Sequence, residues 1–167
     1  MTREHGTLIL GLGNPILGDD GVGIAIAREI KEHWPVELSI DVIEASLAGR
    51  FLLDLITGYE RVIVADAIMT DENAAAGTVY TLSVNDLGAV VNPYASHALD
   101  LRTTVELGKQ LGYEMPDTIR IYAVEIKENT VFREGLSSEV EATVAPVARR
   151  IMQDLGRTGK ETASSKQ

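Results

Sequence analysis

The chain has 167 residues, with 15 basic and 25 acidic side chains, a formal net charge of −10 and no cysteine. This length favours a single domain that can bury a core of its own. The lack of cysteine excludes a disulfide scaffold, a thiolate zinc site, an iron–sulfur cluster and a cysteine nucleophile. The strong acidity argues against nucleic acid or an anionic membrane surface as a partner, since both would be repelled. Because the early apolar run at residues 8–10 is too short to span a membrane, we expect a cytoplasmic protein.

Short apolar runs alternate with amphipathic stretches through the first half of the chain. A compact run stopped by a glycine predicts the first strand, and the alternation of Leu38, Ile40 and Val42 with polar residues predicts the second. Between them, apolar residues recur at every fourth position opposite a charged face, which predicts a helix. The predicted strands are residues 7–12, 38–45 and 61–67, and the predicted helices are residues 21–34 and 47–56.

The second half continues this alternation. Ser138 and Glu141 have the spacing of a capping box, which predicts the start of the last helix. We predict one domain over residues 1–156 and a disordered polar tail over residues 157–167. The remaining predicted elements are an edge-like strand at residues 78–84, a helix at 96–111 and a last strand at 118–124. This order of elements predicts a three-layer α/β/α sandwich with a central, mostly parallel twisted sheet of about five strands.

A glycine-rich loop with two adjacent acids, Asp19 and Asp20, follows the first strand. The loop does not fit a nucleotide, because the third glycine of a dinucleotide fingerprint would fall at Ile16. The two acids also stand where a phosphate-binding loop has lysine and serine or threonine, and their charge would oppose a phosphate. The acids therefore favour a cation, or else one of them caps the following helix. Two adjacent acids cannot both cap that helix, so one needs another explanation.

Two further side chains are candidates to meet these acids. Asp66 ends a strand that is otherwise apolar, and a buried carboxylate is costly unless it is paired or bound to a cation. His97 precedes the third predicted helix. A lone histidine is more often a surface or helix-end residue, and we interpret His5 and His33 in this way. Open parallel sheets place ligands at the carboxyl ends of their strands. Asp20, Asp66 and His97 would offer two oxygens and an imidazole, which suit nickel, zinc or manganese better than calcium.

These motifs together resemble a known family. The segment Gly11–Asn14, followed by Gly18–Gly23, is similar to the N-terminal signature of the [NiFe]-hydrogenase maturation endopeptidases. The likeness continues through residues 64–67 and 96–97, in the family's order and at similar spacing. It covers roughly residues 7–155, which is nearly the whole predicted domain.

The resemblance implies an activity and a set of site residues. Family members recognise nickel that is carried by their substrate, the precursor of the large subunit of a [NiFe]-hydrogenase, and remove a short C-terminal extension from it. Asp20, Asp66 and His97 match the family's metal-contacting and catalytic positions. A water polarised by the metal or activated by a carboxylate would attack the peptide bond. The residues that we predict to bind substrate near this site are Asn14, Asp19 and Glu44.

One segment departs from the family pattern, and it leaves alternatives open. Members often carry Asp-Gly-Gly-Thr after the second strand, where this chain has Glu44-Ala45-Ser46-Leu47. A non-catalytic module that senses nickel on the same precursor is therefore an alternative. A receiver-like phosphoacceptor domain is another alternative. Such domains use an acidic pair, a further aspartate and a lysine, to which Asp19-Asp20, Asp66 and Lys127 could correspond.

Overall fold

One sheet of five strands runs through the centre of the computed structural model, which describes residues 6–34, 39–46, 50–70, 73–87 and 99–164. The strands are β1 (Thr7–Leu12), β2 (Ile40–Ala45), β3 (Arg61–Ile68), β4 (Val79–Ser83) and β5 (Thr118–Glu125). Their order across the sheet is β2-β1-β3-β5-β4. Strands β1, β2, β3 and β5 are parallel, and β4 pairs antiparallel with β5 at one edge. The predicted mostly parallel sheet and its edge strand are confirmed.

Helices cover both faces of this sheet. They are α1 (Val22–His33), α2 (Arg50–Ile56), α3 (Leu99–Gln110) and α4 (Ser138–Ser164), and a short 3-10 turn (Gly18–Gly21) precedes α1. One core cluster joins Ile9 and Ile63 to Ile26 of α1 and Val147 of α4. A second cluster joins alternate strand residues to α2 and α3, for example Leu8, Leu52 and Leu101. The predicted three-layer α/β/α sandwich is thus confirmed.

Helix α4 differs from its prediction at both ends. It begins at Ser138, so Ser137 occupies the capping position, and the hydroxyl of Ser138 donates to Glu139 Oε2 at 3.0 Å instead of pairing with Glu141. At the other end the helix continues to Ser164, well into the segment predicted as a disordered tail. The stretch from 157 to 164 contains no proline, so no residue in it sterically blocks helix continuation. Residues 165–167 lie outside the described part of the chain.

Candidate active site

The carboxyl ends of β1 and β3 lie side by side at one edge of the sheet. In the pairing register Gly11 is opposite Ala65, so Asp66 comes directly after the last β1–β3 pair. Helix α1 packs against both strands at this edge. A Cβ atom added to Gly23 would lie 2.2 Å from the carbonyl oxygens of Leu12 and Ala65, so only glycine permits this approach. The turn that carries Asp20 directly precedes α1 and contacts β3.

Asp20 is buried, with 3% of its surface exposed. Its Oδ2 accepts a hydrogen bond from the backbone N–H of Asn14 at 2.9 Å, and that N–H lies 3.3 Å from the carbonyl oxygen of Asp20. Gly13, with a φ of 142°, has no room for a side chain because a Cβ would lie 2.0 Å from the same carbonyl oxygen. The capping residue of α1 is Gly21, and no side chain caps this helix. The interpretation of Asp19 or Asp20 as its cap is wrong, since Asp20 closes its own loop.

Asp66 is completely buried. Its Oδ1 accepts a hydrogen bond from the N–H of Ala67 at 2.9 Å. Because side chains alternate along a strand, Asp66 shares a face with Val64 and Ile68, which belong to the core beneath α2 and α3. Helix α3 begins at Leu99 on this same face. His97 precedes that helix by two residues but lies outside the described residues, so its meeting with the two acids stays a prediction.

Asp19 contacts the segment that leads into α4. Its Oδ1 accepts the backbone N–H of Ser137 at 2.6 Å, and its Oδ2 accepts the hydroxyl of the same residue at 2.8 Å. A terminal nitrogen of Arg133 lies 3.6 Å from Oδ1. These contacts fasten the loop after β1 to the start of α4. Substrate binding by Asp19 stays a prediction, but holding these loops together is the role its contacts support.

The comparison with known proteins identifies the chain's family. The family model described as hydrogenase maturation protease (HycI) matches residues 24–154. This chain belongs to the hydrogenase maturation protease family. It is therefore a peptidase, and the predicted resemblance is confirmed. The receiver-like alternative is rejected, and Lys127, which that alternative required, donates instead to the carbonyl oxygen of Ala74.

Individual maturation proteases resemble the chain over nearly its full length. The hydrogenase 2 maturation protease of Escherichia coli (strain K12) is 28% identical over 155 residues, which are 92% of this chain and 93% of the relative. The solved structure of the maturating endopeptidase HybD from E. coli has a TM-score of 0.79 at 24% identity, covering 92% of this chain and 94% of that one. The [NiFe] hydrogenase maturation protease HybD from Thermococcus kodakarensis has a TM-score of 0.63 at 28% identity, covering 90% and 98% respectively. The fold of this maturation protease is thus the fold of its family.

The remaining predicted substrate residues of this maturation protease form local contacts. The side-chain oxygen of Asn14 accepts the N–H of Ile16 at 3.2 Å, which orders the loop. Glu44 accepts from Arg28 at 2.9 Å and from Lys31 at 3.0 Å, both on α1. Burial would raise the pKa of Glu44, but the two cations outweigh it and hold this pKa below its ordinary value. The substrate-binding roles of Asn14 and Glu44 stay predictions.

A third buried carboxylate at the same edge was missed by sequence reasoning. Glu125 ends β5 opposite Ile68, with 2% of its surface exposed. Its Oε1 accepts the N–H of Thr70 at 3.1 Å, and its Oε2 accepts the hydroxyl of Thr70 at 3.0 Å. The sequence feature that could have identified Glu125 is the one that identified Asp66, namely an acid at the end of an apolar run. Glu125 fixes the chain that leaves β3 just beyond Asp66.

A different group of metal-ligand types lies on the outside of α1. The ligand atoms of Glu29, Glu32 and His33 lie within 4.8 Å of one another, the one such group of three within the described residues. His33 Nδ1 is 3.2 Å from Glu29 Oε1, which makes this a helix-surface ion pair when His33 is protonated. The prediction that His33 is a surface residue is confirmed. Within the described ranges, no helix is both long and apolar enough to cross a membrane.

Proposed function

We propose that this maturation protease removes a C-terminal extension from the precursor of a [NiFe]-hydrogenase large subunit after nickel has been inserted into that precursor. The observation that carries the proposal is the pair of buried acids, Asp20 and Asp66, on two elements that meet at one edge of the sheet. Nickel enters with the substrate and leaves with the product. It is part of the substrate and not a resident cofactor of the peptidase.

Three side chains have named roles in this proposal. Asp20 and Asp66 provide carboxylate oxygens and His97 provides an imidazole nitrogen, a donor set that suits a divalent transition metal. Burial makes two neighbouring carboxylates costly, and a divalent cation between them offsets that cost. A metal-loaded precursor would supply that cation. This electrostatic argument supports recognition of a divalent cation, and the donor set suits nickel.

The peptide bond is cleaved by water. One carboxylate takes a proton from a water molecule as the water oxygen adds to the scissile carbonyl carbon. The same proton passes to the amide nitrogen as the C–N bond breaks, which leaves a new carboxyl terminus and a free amine. Because both acids are largely shielded from solvent, the attacking water is held in a restricted space.

Cleavage of a defined precursor tests this proposal. Purified protein is mixed with nickel-loaded and nickel-free precursor, and the mass of the large subunit is followed. We expect loss of the extension only from the nickel-loaded form. Asp20→Asn, Asp66→Asn and His97→Ala should each reduce cleavage by at least about a hundredfold, the usual scale for a general acid or base.

Matched controls separate these roles from a general charge effect. Asp117→Asn removes an exposed acid before β5, and His33→Ala removes an exposed imidazole. Both variants should cleave the loaded precursor at the wild-type rate. Cleavage that survives both Asp20→Asn and His97→Ala would contradict the proposed site. Nickel-dependent binding of the precursor without any loss of mass would support the alternative of a non-catalytic module.

A further inference from the structure

Three large apolar side chains are exposed on the two loops beside the acid site. The exposed fractions are 52% for Ile16, 58% for Val131 and 78% for Phe132, which has the highest value among the large hydrophobic residues that the structure describes. We call these three residues the apolar patch. Single exposed apolar residues are ordinary, but three on adjoining loops form a surface that water solvates poorly.

Backbone hydrogen bonds join the two loops of the apolar patch. The N–H of Arg133 donates to the carbonyl of Ile16 at 3.0 Å, and the N–H of Gly18 donates to the carbonyl of Arg133 at 2.8 Å. These bonds form a parallel bridge between Leu17 and Arg133, so Ile16 and Phe132 occupy neighbouring positions on the two loops.

The tip of the second loop is also held in place. The carboxylate of Glu128 accepts hydrogen bonds from the Thr130 hydroxyl at 2.6 Å and from the Val131 N–H at 2.9 Å. An exposed aromatic ring on a loop fixed in this way loses little conformational entropy when a partner binds. Preorganised aromatic residues of this kind commonly dominate protein interfaces.

The apolar patch adjoins the acids proposed to act on the substrate. Ile16 lies four residues before Asp20 in the same loop, and residues 127–133 follow the carboxyl end of β5. A cavity of about 230 Å³ lies between the two loops and is lined by Asp19 and Val131, among others. A polypeptide chain that reaches Asp20 along this side of the site therefore crosses the patch.

Charges of both signs surround the apolar patch. Glu128 and Glu134 lie on either side of Phe132 in the chain, and both are exposed. Two cations are equally close, because Lys127 donates to a neutral backbone carbonyl and keeps its charge, and Arg133 lies 3.6 Å from the Asp19 carboxylate and is exposed. Hydrogen bonds from Thr130, together with the nearby charge of Arg133, hold the pKa of Glu128 below its ordinary value. Because the two cations offset the two glutamates, the exposed apolar side chains are what distinguishes this surface.

We propose that the apolar patch binds the segment of the polypeptide substrate next to the scissile bond, through an apolar side chain of that segment. This inference rests on the proposed cleavage function and deepens it. The patch supplies affinity for the polypeptide itself, whereas Asp20, Asp66 and His97 respond to its metal.

Steady-state cleavage of the nickel-loaded precursor by purified variants tests the apolar patch. Phe132→Ser should raise KM about tenfold, the effect of removing an interface anchor, and leave kcat within about twofold. The Phe132 side chain is exposed, so this change should not alter the fold, which a thermal unfolding midpoint near the wild-type value checks.

Two similarly exposed apolar residues provide the control. Leu111 and Tyr113 lie in the segment before β5, at the opposite end of the sheet, with 60% and 47% of their surface exposed. Leu111→Ser and Tyr113→Ser should leave KM unchanged. An unchanged KM in Phe132→Ser, or an equal increase in the control variants, would overturn the role of the patch while wild-type cleavage still upheld the proposed function. A wild-type protein that does not cleave the precursor would instead refute the proposed function itself.

Discussion

Asp19 and Asp20 are adjacent in the chain but serve different parts of the molecule. Asp20 bonds back to Asn14 and stays at the carboxyl edge of the sheet, whereas both oxygens of Asp19 bond to Ser137. The partner of Asp19 is 118 positions further along the chain. No local pattern carries that information, since the two acids look equivalent in sequence. Only the packing of the loop after β5 against the loop after β1 distinguishes them.

The contact at Gly23 leads to a prediction about stability and activity. Gly23→Ala would place a Cβ atom 2.2 Å from two carbonyl oxygens, so α1 must move away from β1 and β3. We expect a loss of about 1–3 kcal/mol in the free energy of unfolding, measured by urea denaturation, together with slower cleavage because Asp20 moves with α1. Gly156→Ala is the control, since Gly156 is exposed within α4 with no atom within 4 Å of an added Cβ. That variant should gain about 0.5–1 kcal/mol.

The phenol of Tyr122 makes the free energy of unfolding depend on pH in the alkaline range. Burial and the hydrogen bond that its hydroxyl donates to Asp154 raise the pKa of Tyr122 above its ordinary value of 10.0. The neutral phenol is therefore favoured in the folded state, and its contribution is present below pH 10 and lost as pH rises above it. Tyr122→Phe should cost about 1 kcal/mol at pH 8 and should flatten the decline in stability above pH 10. Tyr113→Phe, at an exposed site, should show the wild-type profile, and equal profiles for all three proteins would contradict this role.

At the scale of whole elements, the sequence predicts strands better than it predicts their ends and partners. The run Val62–Val64 is typical of a central strand, because a strand covered on both faces is apolar at consecutive positions whereas a half-exposed strand alternates. The placement of β3 between β1 and β5 depends on contacts between distant segments, which no local pattern records. Ser138 shows the same limit. Its spacing to Glu141 is a valid local pattern for a capping box, but the helix already begins at Ser138, and the residue before it, Ser137, bonds to the distant Asp19.

The start of α4 provides a prediction at this scale. Ser137→Ala removes the hydroxyl that donates to the Asp19 carboxylate and should cost about 1–2 kcal/mol in the free energy of unfolding. Ser138→Ala removes an exposed hydroxyl bonded to Glu139 and should change stability by less than about 0.5 kcal/mol. In an Asp19→Ala background the two serine substitutions should become equivalent. A persistent difference in that background would mean that Ser137 acts through another contact.

At the scale of the whole molecule, the predicted site lies where the layers meet. Asp66 faces the core beneath α2 and α3, while Asp20 comes from the turn before α1 on the other face, so the carboxyl edge is where the two can approach. The sequence locates these acids because a carboxylate next to an apolar run or inside a glycine-rich loop is unusual. The same signal marks Glu125, but the sequence does not show that both oxygens of Glu125 are bonded to Thr70. A net charge of −10 favours the approach of a divalent cation and of basic polypeptide segments.

Shortening α4 from its C-terminal end tests which of its residues the folded state requires. The described core contacts of this helix end with Ile151, Met152 and Leu155, and the family model ends at residue 154. Deleting residues 158–167 should therefore leave the unfolding midpoint and the cleavage rate close to their wild-type values. Ending the chain after Arg150 removes all three apolar side chains and the Asp154 partner of Tyr122. Ile151 is fully buried, whereas Met152 and Leu155 are partly buried. Loss of a buried aliphatic side chain costs about 2–5 kcal/mol against a typical total stability of about 5–15, so with the further losses this shorter chain should be largely unfolded. Circular dichroism of both truncations measures the difference, and equal stability of the two would show that the C-terminal turns of α4 do not support the core.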